Sequence, residues 1–98
     1  MNYRLHPEAA SDLRQAAEYY RERAGTALAQ AFLAEFESSI QLLLQHPLLG
    51  ARWLQGKRRL VMTRFPYTIV YFVAGQEIRV LAVAHQSRRP GYWRRRTW

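Results

Sequence analysis

Residues 64–85 read RFPYTIVYFVAGQEIRVLAVAH. Two runs rich in β-branched and aromatic residues, Tyr67–Val73 and Glu77–His85, flank the connection Ala74-Gly75-Gln76. Strand-forming runs around a short glycine-containing link predict a β-hairpin. Side chains alternate across a strand, so Tyr67, Ile69, Tyr71 and Val73 share one face, and Thr68, Val70 and Phe72 the other. The same alternation groups Ile78, Val80, Ala82 and Ala84 against Arg79, Leu81, Val83 and His85. Both faces are largely apolar. One must cover a second layer; the other is either partly covered by the segment that follows or left for a partner. That following segment, QSRRPGYWRRRTW (86–98), is short, basic and aromatic.

Working outward, Lys57–Thr63 alternates well enough for a strand, and Arg64-Phe65-Pro66 turns from it into the hairpin. Residues 46–56 (HPLLGARWLQG) are expected to be a loop, with Trp53 and Leu54 folded back as a lid on the core. Pro47 stops the preceding helix, because the residue before proline is pushed out of the α region. That helix runs from Thr26, its expected cap, to about Gln45. Its stripe is Leu28, Phe32, Phe36, Ile40 and Leu43, widened by Leu33 and Leu44. The first helix spans Pro7–Ala24, with proline at the position where a missing N–H costs nothing. Ala10, Leu13, Ala17, Tyr20 and Ala24 step by three and four along its buried face, while Asp12, Arg14, Gln15, Glu18, Arg21 and Glu22 line the other. Glu8 and Asp12 suit the positive end of the helix dipole. Gly25 closes the first helix, so the two pack antiparallel. Asn2–His6 is a short strand whose place in the sheet is not readable from spacing. The expected fold is α+β, in the order β-α-α-β-β-β, with the helical hairpin on one face of a small, mainly antiparallel sheet.

The 98 residues make one domain, 1–98, ending in the basic aromatic segment 88–98. A chain of this length buries roughly two-thirds of its unfolded surface, so it holds a core without metal or disulfides. There is no cysteine, which excludes thiol catalysis and zinc–thiolate sites. No apolar run approaches a membrane span or a secretory leader, so the chain is expected to work in the cytoplasm, away from membranes. Lys and Arg number 15 against 7 acidic residues, a net charge of +8, and Lys57 is the only lysine. Arginine's planar fork suits phosphates and carboxylates and stacks on aromatics, so an anionic partner is implied: nucleic acid, an acidic protein, or both.

No metal or cofactor motif is present: His6, His46 and His85 lie on separate elements, and the glycines are scattered. The residues left to carry chemistry are Arg58, Arg59, Arg64, His85, Arg88, Arg89, Tyr92 and Trp93. RNA cleavage by a 2′-hydroxyl needs a base, an acid and cations for the developing charge. His85 can exchange a proton near neutral pH, arginines can clamp a phosphate, and Tyr92 or Trp93 can stack a base. The plainer alternatives are a strand-end His85 satisfied by backbone, Tyr92 and Trp93 docked on the sheet as core, and Arg94-Arg95-Arg96 as a solvated tail.

HPEAASDL after the first strand, the pair Tyr19-Tyr20, HPLLG, GKRRL, RFPYTIVYFV, EIRVLAVAH and RRPGYW occur in an order that resembles the RelE/ParE superfamily of type II toxins, often called plasmid-stabilisation proteins. The likeness covers nearly the whole chain, ending in HxxRxPxYW at His85–Trp93. The FPYTIVY and RRPGYW segments are more similar to the ParE-type group. The resemblance implies a toxin neutralised by a cognate antitoxin, whose acidic or amphipathic C-terminal segment wraps around it. ParE-like relatives act on DNA gyrase without catalysis. RelE-like relatives cleave mRNA in the ribosomal A site, and for that activity His85, Arg59, Arg64, Arg88 and Tyr92 would be the catalytic set. Target and antitoxin binding are expected at Arg58, Arg59, Arg79, Arg88, Arg89, Trp93, Arg94, Arg95 and Arg96. A third class, a nucleic-acid-binding regulator, lacks a helix-turn-helix signature, so operator DNA would be read only through the antitoxin.

Overall fold

The computed structural model describes residues 1–98. Strand β1 (Asn2–Leu5) leads into helices α1 (Pro7–Ala24) and α2 (Thr26–Gln45). Strands β2 (Ala51–Arg52), β3 (Arg58–Val61), β4 (Tyr67–Ala74) and β5 (Glu77–His85) follow, with a single 3-10 turn at Leu54–Gly56. The expected loop 46–56 therefore holds a two-residue strand, and β3 is shorter than the run Lys57–Thr63. The five strands lie in the order β1-β5-β4-β3-β2. All neighbours are antiparallel except β1, which runs parallel to β5 with Leu5 beside Val80.

The helices cover one face of the sheet. Gly25 joins them directly, at a φ of 97° that side-chain-bearing residues rarely adopt. Gly25 rather than Thr26 is the N-cap of α2, and no side chain caps that end. On α2, Phe32, Phe36, Ile40 and Leu43 are buried as the stripe requires, with Ala29 added, whereas Leu33 is exposed. On α1 the buried residues are Ala9 and Ala16, with Leu13, Ala17 and Tyr20 beside them. The stripe is thus rotated toward small residues, which let the helix lie close to β5. At its centre Phe32 meets Phe65 at 5.2 Å and Tyr67 at 5.1 Å between ring centroids, with Tyr20 5.1 Å from Phe65. Edge-to-face aromatic pairs of this kind add about 0.5–1.5 kcal/mol each beyond their buried area.

The hairpin forms as its alternation predicts, up to one irregularity. Val70 pairs with Ala82 but Tyr71 pairs with Val80, so Leu81 is an extra residue on β5. A bulge reverses the facing of everything beyond it. Ile78, Val80 and Val83 consequently share the helix-covered core with Tyr67, Ile69 and Tyr71, while Val70, Leu81 and Ala82 form a second cluster on the opposite face. The expected grouping of Ala82 with Val80, and of Val83 with Leu81, is corrected by that bulge. The opposite face is covered by Trp93, which is fully buried. Trp53 packs there too, 5.8 Å from Trp93, and not as a lid on the main core; Leu54 stays exposed.

Gly50 fixes the loop before β2. Its N–H donates to the Tyr71 hydroxyl at 2.9 Å, and that hydroxyl donates to the Pro47 carbonyl at 2.8 Å. Burial pushes the Tyr71 phenol above its ordinary pKa, partly offset by the Gly50 hydrogen bond and the Arg58 charge. A Cβ on Gly50 would stand 2.7 Å from Tyr71 and 2.8 Å from the Arg59 carbonyl oxygen. Gly50→Ala is therefore expected to cost about 1–3 kcal/mol through overpacking. Tyr71→Phe should cost a similar amount, about 1–3 kcal/mol, by leaving the buried Gly50 N–H and the half-buried Pro47 carbonyl unpaired. Urea midpoints at constant slope would register both changes.

Candidate partner-binding groove

On the sheet face away from the helices, an open groove of about 500 Å³ crosses the ends of β3, β4 and β5. Val61, Thr68 and Ala84 line it, together with Trp53, Arg59 and the segment from His85 to Trp93. β3 supplies Arg59, whose guanidinium lies 4.8 Å from the Trp53 ring. The turn after β5 supplies Arg88 and Arg89, with Arg88 3.9 Å from the Tyr92 ring centroid. No carboxylate lines the groove. The arginines that form ion pairs are Arg21, Arg79 and Arg96, so Arg59, Arg88 and Arg89 remain uncompensated. Aromatic stacking holds two of those cations in place without neutralising them.

His85 closes β5 at the rim. Its Nδ1 accepts the Ser87 backbone N–H at 3.0 Å, and its ring meets Tyr67 edge-on at 5.0 Å. With Nδ1 an acceptor, the neutral ring carries its proton on Nε2. Tyr92 lines the groove but directs its hydroxyl to Asp12 Oδ2 at 3.4 Å. Burial raises the Tyr92 phenol above its ordinary pKa, the Asp12 carboxylate raises it further, and Arg96 and Arg88 oppose this.

Of the catalytic set expected for an RNA-cleaving relative, His85, Arg59, Arg88 and Tyr92 come together here. Arg64 does not: it sits in the turn between β3 and β4, 5.6 Å from the Phe65 ring, and its backbone N–H donates to Glu35. The wider basic set divides in the same way. Arg58 points to the helix side and donates to the Leu48 and Gly50 carbonyls. Arg79 pairs with Glu77 at 2.8 Å and lies 5.4 Å from the Trp98 ring. Arg94 folds onto the Gly91 carbonyl at 3.0 Å, and Arg95 is exposed. Trp93 is core.

Arg96 is far from a solvated tail. It grips Asp12 through Nη1 at 2.6 Å and Nη2 at 3.0 Å, with both side chains almost buried. Asp12, expected on the solvent face of α1, is corrected to a buried hub. Its position three residues after Ala9 and four before Ala16 was the signal, since all three share one side of the helix. Trp53 was the other residue missed as part of a site. Its place beside a basic strand was the only hint.

The family model described as the ParE toxin of type II toxin–antitoxin systems, parDE, matches residues 3–90. No curated protein sequence matches significantly. Among solved structures, a chain from the chromosomal ParDE toxin–antitoxin system of P. aeruginosa aligns with a TM-score of 0.77 at 25% identity. That alignment covers 87% of this chain and 95% of the solved one. No helix is long and apolar enough to cross a membrane. With the family pattern running from β1 through the turn after β5, the chain belongs to the ParE family of toxins of type II toxin–antitoxin systems.

Proposed function

We propose that this toxin arrests growth by binding an essential protein, with DNA gyrase the first candidate, and that a cognate antitoxin neutralises it. The observation that carries the reading is the groove: three arginines without a carboxylate partner, beside aromatic surface and an open sheet face. Such a surface attracts an acidic protein segment and speeds its encounter. The same charge suits the acidic or amphipathic C-terminal segment of an antitoxin, which would fold on binding. Operator DNA would then be reached through the antitoxin. Arg58, Arg79 and Arg96 lie outside the groove and do not extend the surface, because they are engaged within the molecule.

A second reading, ribosome-dependent mRNA cleavage, is favoured by one specific observation. His85 has Nδ1 engaged and Nε2 left to act beside Arg59 and Arg88. Against it, Arg64 lies outside the groove, and the Tyr92 hydroxyl is turned to Asp12. Induction of the chain without antitoxin decides between them. Blocked supercoiling in extract with intact mRNA is the expected result. Toeprints showing A-site cuts that vanish in His85→Ala would overturn it in favour of the nuclease. Harmless induction would remove both.

A further inference from the structure

β1 pairs with β5 only as far as Val80, so the outer edge of β5 from Leu81 onward has no neighbouring strand. An open edge invites pairing with another chain. Here that edge is occupied by two side chains distant in sequence. Asp12 Oδ2 accepts the Val83 N–H at 3.0 Å, and Arg96 Nη1 donates to the Leu81 carbonyl at 3.1 Å. Arg96 Nε also reaches Glu8 at 3.1 Å. The bidentate pair between Asp12 and Arg96 has side chains only 12% and 13% exposed. Two parallel charge-assisted bonds fix orientation as well as distance.

The pair carries Tyr92 with it. The Tyr92 hydroxyl donates to the same Asp12 oxygen, and its ring lies under Arg96 at 5.1 Å and under Arg88 at 3.9 Å. We infer that Asp12 and Arg96 are positioning residues, a latch that ties the C-terminal segment to α1 and holds Tyr92 and Arg88 in place on the groove wall. This rests on the groove being the target surface, and it assigns a role to a residue beyond the 3–90 span that the family shares. Arg96 therefore serves the partner surface without touching the partner.

The test uses the full chain with Asp12→Asn, Arg96→Lys and, as a control of equal charge change, Glu22→Gln, at an exposed position on α1 outside the groove. Hydrogen exchange at Val83 and across residues 87–93 should speed up at least tenfold in Asp12→Asn, with α2 amides unchanged. Arg96→Lys, which keeps the charge but loses the fork, should fall between it and the parent. Ultraviolet titration supplies a signature that simple loosening elsewhere would not give. The tyrosine identified by its absence in Tyr92→Phe should titrate lower in Asp12→Asn, since the carboxylate raises it. Growth arrest should need at least tenfold more toxin in Asp12→Asn and remain unchanged in Glu22→Gln. Unchanged exchange, or looser exchange with an undiminished growth arrest, overturns the latch. If the parent itself is harmless, the target reading falls, and exchange and titration alone decide the latch. Should Asp12→Asn fail to fold, Arg96→Lys carries the same measurements.

Discussion

Trp93→Ala is expected to destabilise the protein by about 3–5 kcal/mol, the usual cost of truncating a buried aromatic, and to abolish growth arrest. Trp93→Phe should cost less than about 1.5 kcal/mol. Trp93 is completely buried on the sheet face that the helices leave open, over Val70, Leu81 and Ala82. Alanine there uncovers strand surface and frees the segment carrying Arg88 and Arg89. In a domain whose whole stability is on the order of 5–15 kcal/mol, such a loss empties much of the folded population at growth temperature. Phenylalanine keeps most of the apolar contact. It also removes an indole N–H that has no hydrogen-bond partner although it is buried. An unpaired buried donor costs about 1–3 kcal/mol, so losing it offsets part of the smaller ring's deficit. Urea unfolding followed by far-ultraviolet dichroism measures both variants. Equal losses for the two would mean that the indole N–H is bonded, and that the packing explanation is wrong.

The order of β1, the two helices and strands β3 to β5 was legible, the two-residue β2 aside, because helix stripes, the glycine between the helices and the hairpin's β-branched runs each point to one local structure. The parallel seat of β1 was not, because a four-residue strand carries no periodicity that selects a neighbour. The bulge at Leu81 was invisible for a different reason. Leu81, Ala82 and Val83 are all apolar, so reversing their facing leaves the pattern unchanged. Asp12 was misplaced because the buried side of α1 is made of alanines, whose hydrophobic signal is weaker than that of Leu13 or Tyr20 beside them. The site was legible as a set and illegible in its division. Arg58 and Arg59 are adjacent and identical in type. Strand alternation sends one to the Leu48 and Gly50 carbonyls and the other into the groove. Arg96 differs from Arg95 only in reaching Asp12, a contact across 84 positions that no local pattern encodes.

That division yields the sharpest functional expectation. The triple variant Arg59→Gln, Arg88→Gln, Arg89→Gln should lose growth arrest while its unfolding midpoint stays close to the parent's. None of the three cations is ion-paired within the molecule, so their removal leaves no buried charge behind; surface changes of this kind usually alter stability by less than about 0.5 kcal/mol each. On the proposed reading, the same groups meet carboxylates of the partner. A hydrogen bond to a charged group contributes about 1.5–3 kcal/mol, so losing three weakens binding about a thousandfold or more. The comparison that isolates the groove is a second triple, Arg4→Gln, Arg14→Gln, Arg23→Gln. It removes the same charge from the net +8 at exposed positions outside the groove. Long-range attraction depends on net charge and would suffer equally in both triples, whereas local recognition distinguishes them. Growth arrest retained only in the second triple places the contact in the groove between Trp53 and Tyr92. Equal loss in both would reduce the arginine excess to nonspecific steering and remove the groove as the target surface.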